Sequence, residues 1–224
     1  MPTSSGCAIG RWNNEICDGS GYWQYIPTDN GVRFLTWYDY HTRFGRTGAA
    51  CDRLLFRPLL GWATAWSFDR LRLWLEDQVV PSQALRDAAV HAIARLTLAI
   101  IVAYHGLVPK LLAGDPDEIA MVRDAGVPSG AIGGVVSALG IAELLLAACL
   151  LICWLRRWPL GAVTLLIVTA TAGVVWTSPQ YLTAAFNPVS LNLAVLALAA
   201  IDLLVISGVP SAARCRRRPR SEPA

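Results

Sequence analysis

The chain has 224 residues, 54% hydrophobic and 16% charged, with a mean hydropathy of +0.44 and a formal net charge of +3. Soluble domains carry about 25% charged residues, so this composition excludes a disordered chain, and its six cysteines are too sparse for a disulfide-stapled secreted module. It points to a membrane protein of one or two domains.

Residues 1–80 hold eight Arg against eight Asp or Glu and are neutral overall. Met1–Ser20 has no apolar core, so no signal peptide is expected there, and Cys7, Cys17 and Cys51 read as free thiols in a reducing compartment. Gly21–Pro27 and Val32–Phe44 are rich in aromatic and β-branched residues and flank Thr28-Asp29-Asn30-Gly31. That pattern predicts a hairpin, with Asn-Gly supplying the turn. Cys51–Glu76 comes next, with Leu55, Leu59, Trp62 and Trp66 at helical spacing. A lone hairpin is marginal in water, and two strands plus one helix bury little apolar area. Residues 1–80 therefore read as an incomplete domain, or as a unit that docks on the rest of the chain.

Four long apolar stretches come after it: Ala88–Leu107, Ala131–Leu155, Leu160–Trp176 and Leu191–Ile206, the last starting nearer Pro188. Spanning a bilayer takes roughly 17–25 residues of helix. A soluble bundle would need polar outer faces, and Leu144–Leu155 offers almost none. The expected fold class is therefore an all-α membrane protein, a four-helix transmembrane bundle with a short α+β N-terminal segment. The expected domains are 1–80, a bundle over 81–207 and a basic tail over 208–224. Arg86, Arg156, Arg157 and the cluster Arg214, Arg216, Arg217, Arg218 fall on one side of such a bundle, where they suit a membrane surface, while Asp115, Asp117, Glu118 and Asp124 fall on the other. Arginine-rich loops stay inside, which puts both termini in the cytoplasm. The terminal arginines fit anionic lipid better than nucleic acid, and no nucleic-acid partner is expected.

Tyr104-His105-Gly106-Leu107-Val108-Pro109-Lys110, then Asp115-Pro116-Asp117-Glu118, then Gly140-Ile141-Ala142-Glu143 carry a resemblance. Over residues 85–207 the chain resembles the DoxX-like integral membrane family, whose members have Gly-x-x-Pro-Lys after helix one and Gly-x-x-Glu in helix two. The resemblance implies a four-helix inner-membrane protein of bacterial type. Through the quinone-linked sulfur oxidation behind the family name, it also implies a quinone-associated or redox-accessory role, with quinone as the cofactor to test. Residues 20–80 resemble the last hairpin and helix of a START or polyketide-cyclase-like domain, without most of its sheet. A redox or ligand-binding protein is the partner implied beside the lipid bilayer. The alternative is a non-enzymatic membrane anchor or small-solute permeability bundle.

Ionisable groups inside spans are the informative ones, because each costs about 2.5–3.5 kcal/mol at mid-membrane. Asp87, His91 and Arg95 succeed one another at i,i+4 on helix one and form a stripe that cannot face lipid. At 1.5 Å per residue, Arg95 lies about 10 Å and Asp202 about 6 Å from the same membrane face, which predicts a structural ion pair between them. Glu143 falls about 18 Å in, with Arg95 as its only long-armed neighbour by depth. It is left as the group for function, with His105 and Lys110 opening a polar path outward. Gly130, Gly134 and Ala138 read as a small-residue packing stripe. Cys149 and Cys153 have no further ligand near them in sequence, so no metal site is expected. Gly130–Gly134 lies behind no strand, which excludes a dinucleotide loop, and no Walker motif or serine triad is present.

Overall fold

In the computed structural model, which describes residues 16–29, 31–42, 45–183 and 187–215, strand β1 (Ile16–Thr28) pairs antiparallel with β2 (Gly31–Thr42). Thr28 partners Gly31, and Gly31, at φ 145°, opens β2. Gly31, the last of the four residues expected in the turn, is also the first residue of β2. Cross-strand aromatic contacts hold the ribbon, with Tyr22 stacked on Trp37 at 5.9 Å and Trp23 edge-on to Phe34 at 5.8 Å. Helix α1 (Gly45–Cys51) passes through a π-helical turn, Asp52–Phe56, into α2 (Arg57–Asp77). Tyr40 closes this part: its hydroxyl donates to Asp52 Oδ1 at 2.5 Å and the Arg57 guanidinium lies over its ring. The described residues up to Ala65 form one compact unit, and Trp66–Cys215 forms another.

The second unit holds the bundle. Helix α3 (Pro81–His105) starts on a proline at its first turn and continues as a π-helical segment, Gly106–Ala113. Pro109 explains the change of winding: it has no N–H for the carbonyl four residues back, and its ring collides there. Gly114, at φ 59°, ends the segment. Helix α4 (Pro116–Asp124) is short and is capped by Asp115, which accepts from the N–H groups of Asp117 and Glu118 at 2.9 and 3.3 Å. Helices α5 (Ile132–Ile152), α6 (Trp158–Thr177) and α7 (Pro188–Val205) complete the unit.

Four helical stretches, Pro81–Ala113, Ile132–Ile152, Trp158–Thr177 and Pro188–Gly208, are long and apolar enough to cross a membrane. Only 11–22% of each is buried within the chain, and the surface left open includes Ile93, Ile100, Ile141 and Leu193. Such faces suit hydrocarbon and not water. The chain is a membrane protein, and these helices are its lipid-facing wall. The apolar core lies between α3, α5, α6 and α7, around Leu98, Val102, Leu150, Leu160, Val163 and Val195.

Two expectations change. A Cβ placed on Gly130, Gly133 or Gly134 would meet nothing within 4 Å, so among the described residues that stripe packs against no helix. Helix one runs past Leu107 to Ala113, which carries Lys110 into the bundle. Cys7, Asn30, Arg216, Arg217 and Arg218 lie outside the described residues.

Candidate functional site

Helix α3 places a cation near each end of the bundle. At the end where α3 begins and α7 finishes, Arg95 is fully buried. The last carbonyls of a helix have no partner within it, and α5 ends beside Arg95. Its Nε donates to the Leu150 carbonyl at 2.9 Å, and its Nη2 donates to those of Cys153 and Arg156 at 2.8 and 2.9 Å. Nη1 donates to Asp202 Oδ2 on α7 at 3.2 Å. Only the guanidinium, with five N–H groups in a plane, can join so many acceptors at once. His91 Nδ1 meets the other oxygen of Asp202, and its ring packs edge-on to Trp154 at 5.0 Å. Asp87 is also buried, so the i,i+4 stripe of α3 faces inward along this stretch.

The other end is built differently. Gly106 and Gly140 press α3 against α5: a Cβ on Gly106 would fall 2.6 Å from the Gly140 carbonyl, and a Cβ on Gly140 2.7 Å from that of Gly106. Each glycine precedes a charged residue of its own helix, Lys110 four positions on and Glu143 three positions on. The close approach therefore brings the two charges together, with Lys110 Nζ 3.2 Å from Glu143 Oε2. The same ammonium lies 3.2 Å from Glu118 Oε1 of α4 and donates toward the His105 carbonyl at 3.5 Å, the group that Pro109 cannot serve. Lys110 is 8% exposed, Glu143 13% and Glu118 22%, so the cluster is shielded but not enclosed.

Beside it opens a cavity of about 680 Å³. Ile101, Val102, Leu139, Leu166, Ile167 and Val195 form its apolar wall, Met121 and Val122 of α4 cover it, and His105, Lys110, Asp117, Glu118, Glu143 and Asn192 supply its polar lining. The Asn192 amide donates to Thr171 Oγ1 at 2.8 Å, which ties α7 to α6. Helix α4 is fastened from outside: Asp124 Oδ2 accepts from Ser178 Oγ at 2.8 Å and Gln180 Nε2 at 3.0 Å, and Tyr181 donates to Asp117 at 3.3 Å. Burial, and then the Asp117 carboxylate, raise the Tyr181 phenol above its ordinary pKa. An apolar chamber with one charged corner can hold a small amphipathic molecule by its head.

The residues expected to matter thus fall in two groups. Arg95 and Asp202 meet at the closed end, together with His91, which sequence reasoning placed on the right stripe without a partner. His105, Lys110 and Glu143 meet at the cavity. Glu143 is not a lone carboxylate, and Arg95 is spent on α5 and α7. Glu118 is the member that sequence reasoning left in a loop. Arg156 and Arg157 lie in the turn from α5 to α6, and Arg214, 40% exposed, donates to Asp69 Oδ2 at 3.1 Å. That buried Asp69 carboxylate also accepts from Arg72 and from the Ser211 N–H, a latch with no signal in the sequence. Among the described residues no His, Cys, Asp and Glu group could hold a metal ion.

A model of the DoxX-like family matches residues 99–200 of this chain, a stretch that contains the whole Lys110 cluster and stops short of both Arg95 and Asp202. A Bacillus subtilis (strain 168) protein called "Uncharacterized membrane protein YndG" is 51% identical over 92 residues, 41% of this chain and 34% of that protein. The chain spans about a third of the length of that curated relative. No solved structure matches it.

Proposed function

We propose that this chain is a DoxX-like multi-pass membrane protein that holds a membrane quinone in the cavity beside Lys110, as a redox-accessory component of the bilayer. One observation carries the reading: an apolar chamber of about 680 Å³ joins a largely buried Lys110–Glu118–Glu143 cluster within the stretch that the family model matches. The residues fit the group. Its ring and tail need an apolar slot, which Ile101, Leu139 and Leu166 offer, and its oxygens need polar company, which the cluster offers. A bound quinone supplies two-electron, two-proton chemistry. The chain's own part is to position the head, to exclude water with α4, and to hold charge at Glu143 and Lys110.

Arg86, Arg156, Arg157 and Arg214 stand at the end where α3 begins and α7 finishes. The positive-inside rule turns that end, with both termini, to the cytoplasm of an inner membrane and turns the cavity outward. The second reading, a non-enzymatic anchor or permeability bundle, has one observation for it and one against. A separate N-terminal unit, resembling the end of a START or polyketide-cyclase-like domain, favours an anchor for a redox or ligand-binding partner. The plug of Arg95, His91 and Asp202 counts against a through path.

Quinone extracted from detergent-purified protein tests the proposal. Wild-type protein is expected to carry it, with Lys110→Met losing it and Glu143→Gln retaining less of it, both variants remaining folded. Quinone-free wild-type protein, or equal retention in both variants, would overturn the reading.

A further inference from the structure

The charged lining of the cavity is weighted toward hydrogen-bond acceptors. Asp117, Glu118 and Glu143 line it against a single ammonium, Lys110. An ionised carboxylate only accepts, through about four lone-pair sites, while an ammonium has three N–H groups to give. The Lys110 group donates to Glu118 Oε1 at 3.2 Å and toward the His105 carbonyl at 3.5 Å, and it is ion-paired with Glu143 at 3.2 Å. Tyr181 donates its hydroxyl to Asp117, and Asn192 donates one amide hydrogen to Thr171. What remains to donate is the His105 ring, the second amide hydrogen of Asn192 and the Asn187 amide, whose oxygen accepts from the Ser190 N–H. Acceptor capacity is larger, because three carboxylates each offer about four lone-pair sites.

A ligand suits such a lining by bringing donors. The oxidised ring of a quinone presents two acceptor carbonyls, and its reduced hydroquinone form presents two O–H donors. Resting on the quinone reading above, we infer that the cavity selects the hydroquinone over the oxidised quinone, with Glu143 accepting from one ring hydroxyl and Glu118 as the neighbouring acceptor. Hydrogen bonds to ionised carboxylates are roughly twice as strong as neutral ones, whereas an oxidised carbonyl would have to take Lys110 away from its two carboxylates. The selection needs no electron transfer within this chain, because it is a difference in binding between two forms of one ligand.

Binding of a short-chain alkyl benzoquinone and of its hydroquinone, kept reduced with dithionite under argon, tests the inference. The whole chain is reconstituted in phosphatidylcholine nanodiscs, with empty nanodiscs correcting for partition into lipid. The hydroquinone is expected to bind at least about tenfold tighter. Glu143→Gln, which swaps an acceptor oxygen for a donor amide at constant shape, is expected to bring the two forms within about threefold, and Glu118→Gln to narrow the gap by less. Equal binding of both forms, a preference for the oxidised ring, or an undiminished preference in both variants overturns the inference and leaves the quinone reading standing. Binding of neither form overturns the quinone reading and the inference with it.

Discussion

Arg95 and Lys110 sit on one helical span, fifteen residues apart, and the bundle treats them in opposite ways. Arg95 is enclosed, with four acceptors drawn from α5, α7 and the turn after α5, so it fixes three chain segments at once. Lys110 is held by two carboxylates and borders a cavity. The guanidinium fork suits a permanent joint, and the compact ammonium suits a site where partners exchange. An intramembrane charge is thus read by its neighbours. A saturated cation between helix ends marks architecture, and a cation shared by carboxylates beside a void marks binding.

Three changes put that contrast under load. The largest effect is expected of Arg95→Met, which leaves three carbonyls of α5 and the turn after it without their donor and leaves Asp202 with His91 alone in an enclosed site. Breaking a buried pair in this way costs about 3–5 kcal/mol, so the apparent Tm should fall by roughly 10 °C or more in a detergent thermal-shift assay. Gly140→Ala comes next, because its Cβ would lie 2.7 Å from the Gly106 carbonyl. Forcing α3 from α5 costs about 1–3 kcal/mol, and it should part Lys110 from Glu143, so that stability and ligand retention fall together. Lys110→Met is expected to move the Tm less than either change while removing the ligand. A thermal shift as large as that of Arg95→Met would erase the contrast.

The smallest effect lies outside the bundle. Burial first, and then its bond to Asp52, raise the Tyr40 phenol above its ordinary pKa of about 10. A raised value in the folded state means that the protonated phenol stabilises the hairpin unit below that ordinary pKa. The stabilisation is lost as pH climbs past it toward the folded value. Tryptophan fluorescence of the hairpin between about pH 8 and 11 should report loosening in the wild type, and Tyr40→Phe should flatten the profile.

The four spans and the hairpin are legible because apolar runs and aromatic alternation are local properties of the chain. The meeting of Arg95 and Asp202 comes from depth, since both are counted from span ends on one side. The meeting of Lys110 and Glu143 does not, because Pro109 reads as the close of a helix and instead widens it, carrying Lys110 a further turn. Glu118 looks like a loop carboxylate because α4 is only nine residues long. The bond from Ser178 to Asp124 joins residues 54 apart, with no period to announce it. Gly130 and Gly134 misdirect for the converse reason: a small residue facing open space and one facing a helix are the same letter.

Ligand chemistry assigned to the Lys110 end and architecture assigned to the Arg95 end can be separated by photolabelling in membranes with an azido-quinone, with peptide mapping of the product. Label is expected on α4 and on α5 around Leu139, displaced by excess unlabelled quinone and absent in Lys110→Met. Displaceable label around His91 and Trp154, or label on the cavity walls that persists in Lys110→Met, would contradict that division.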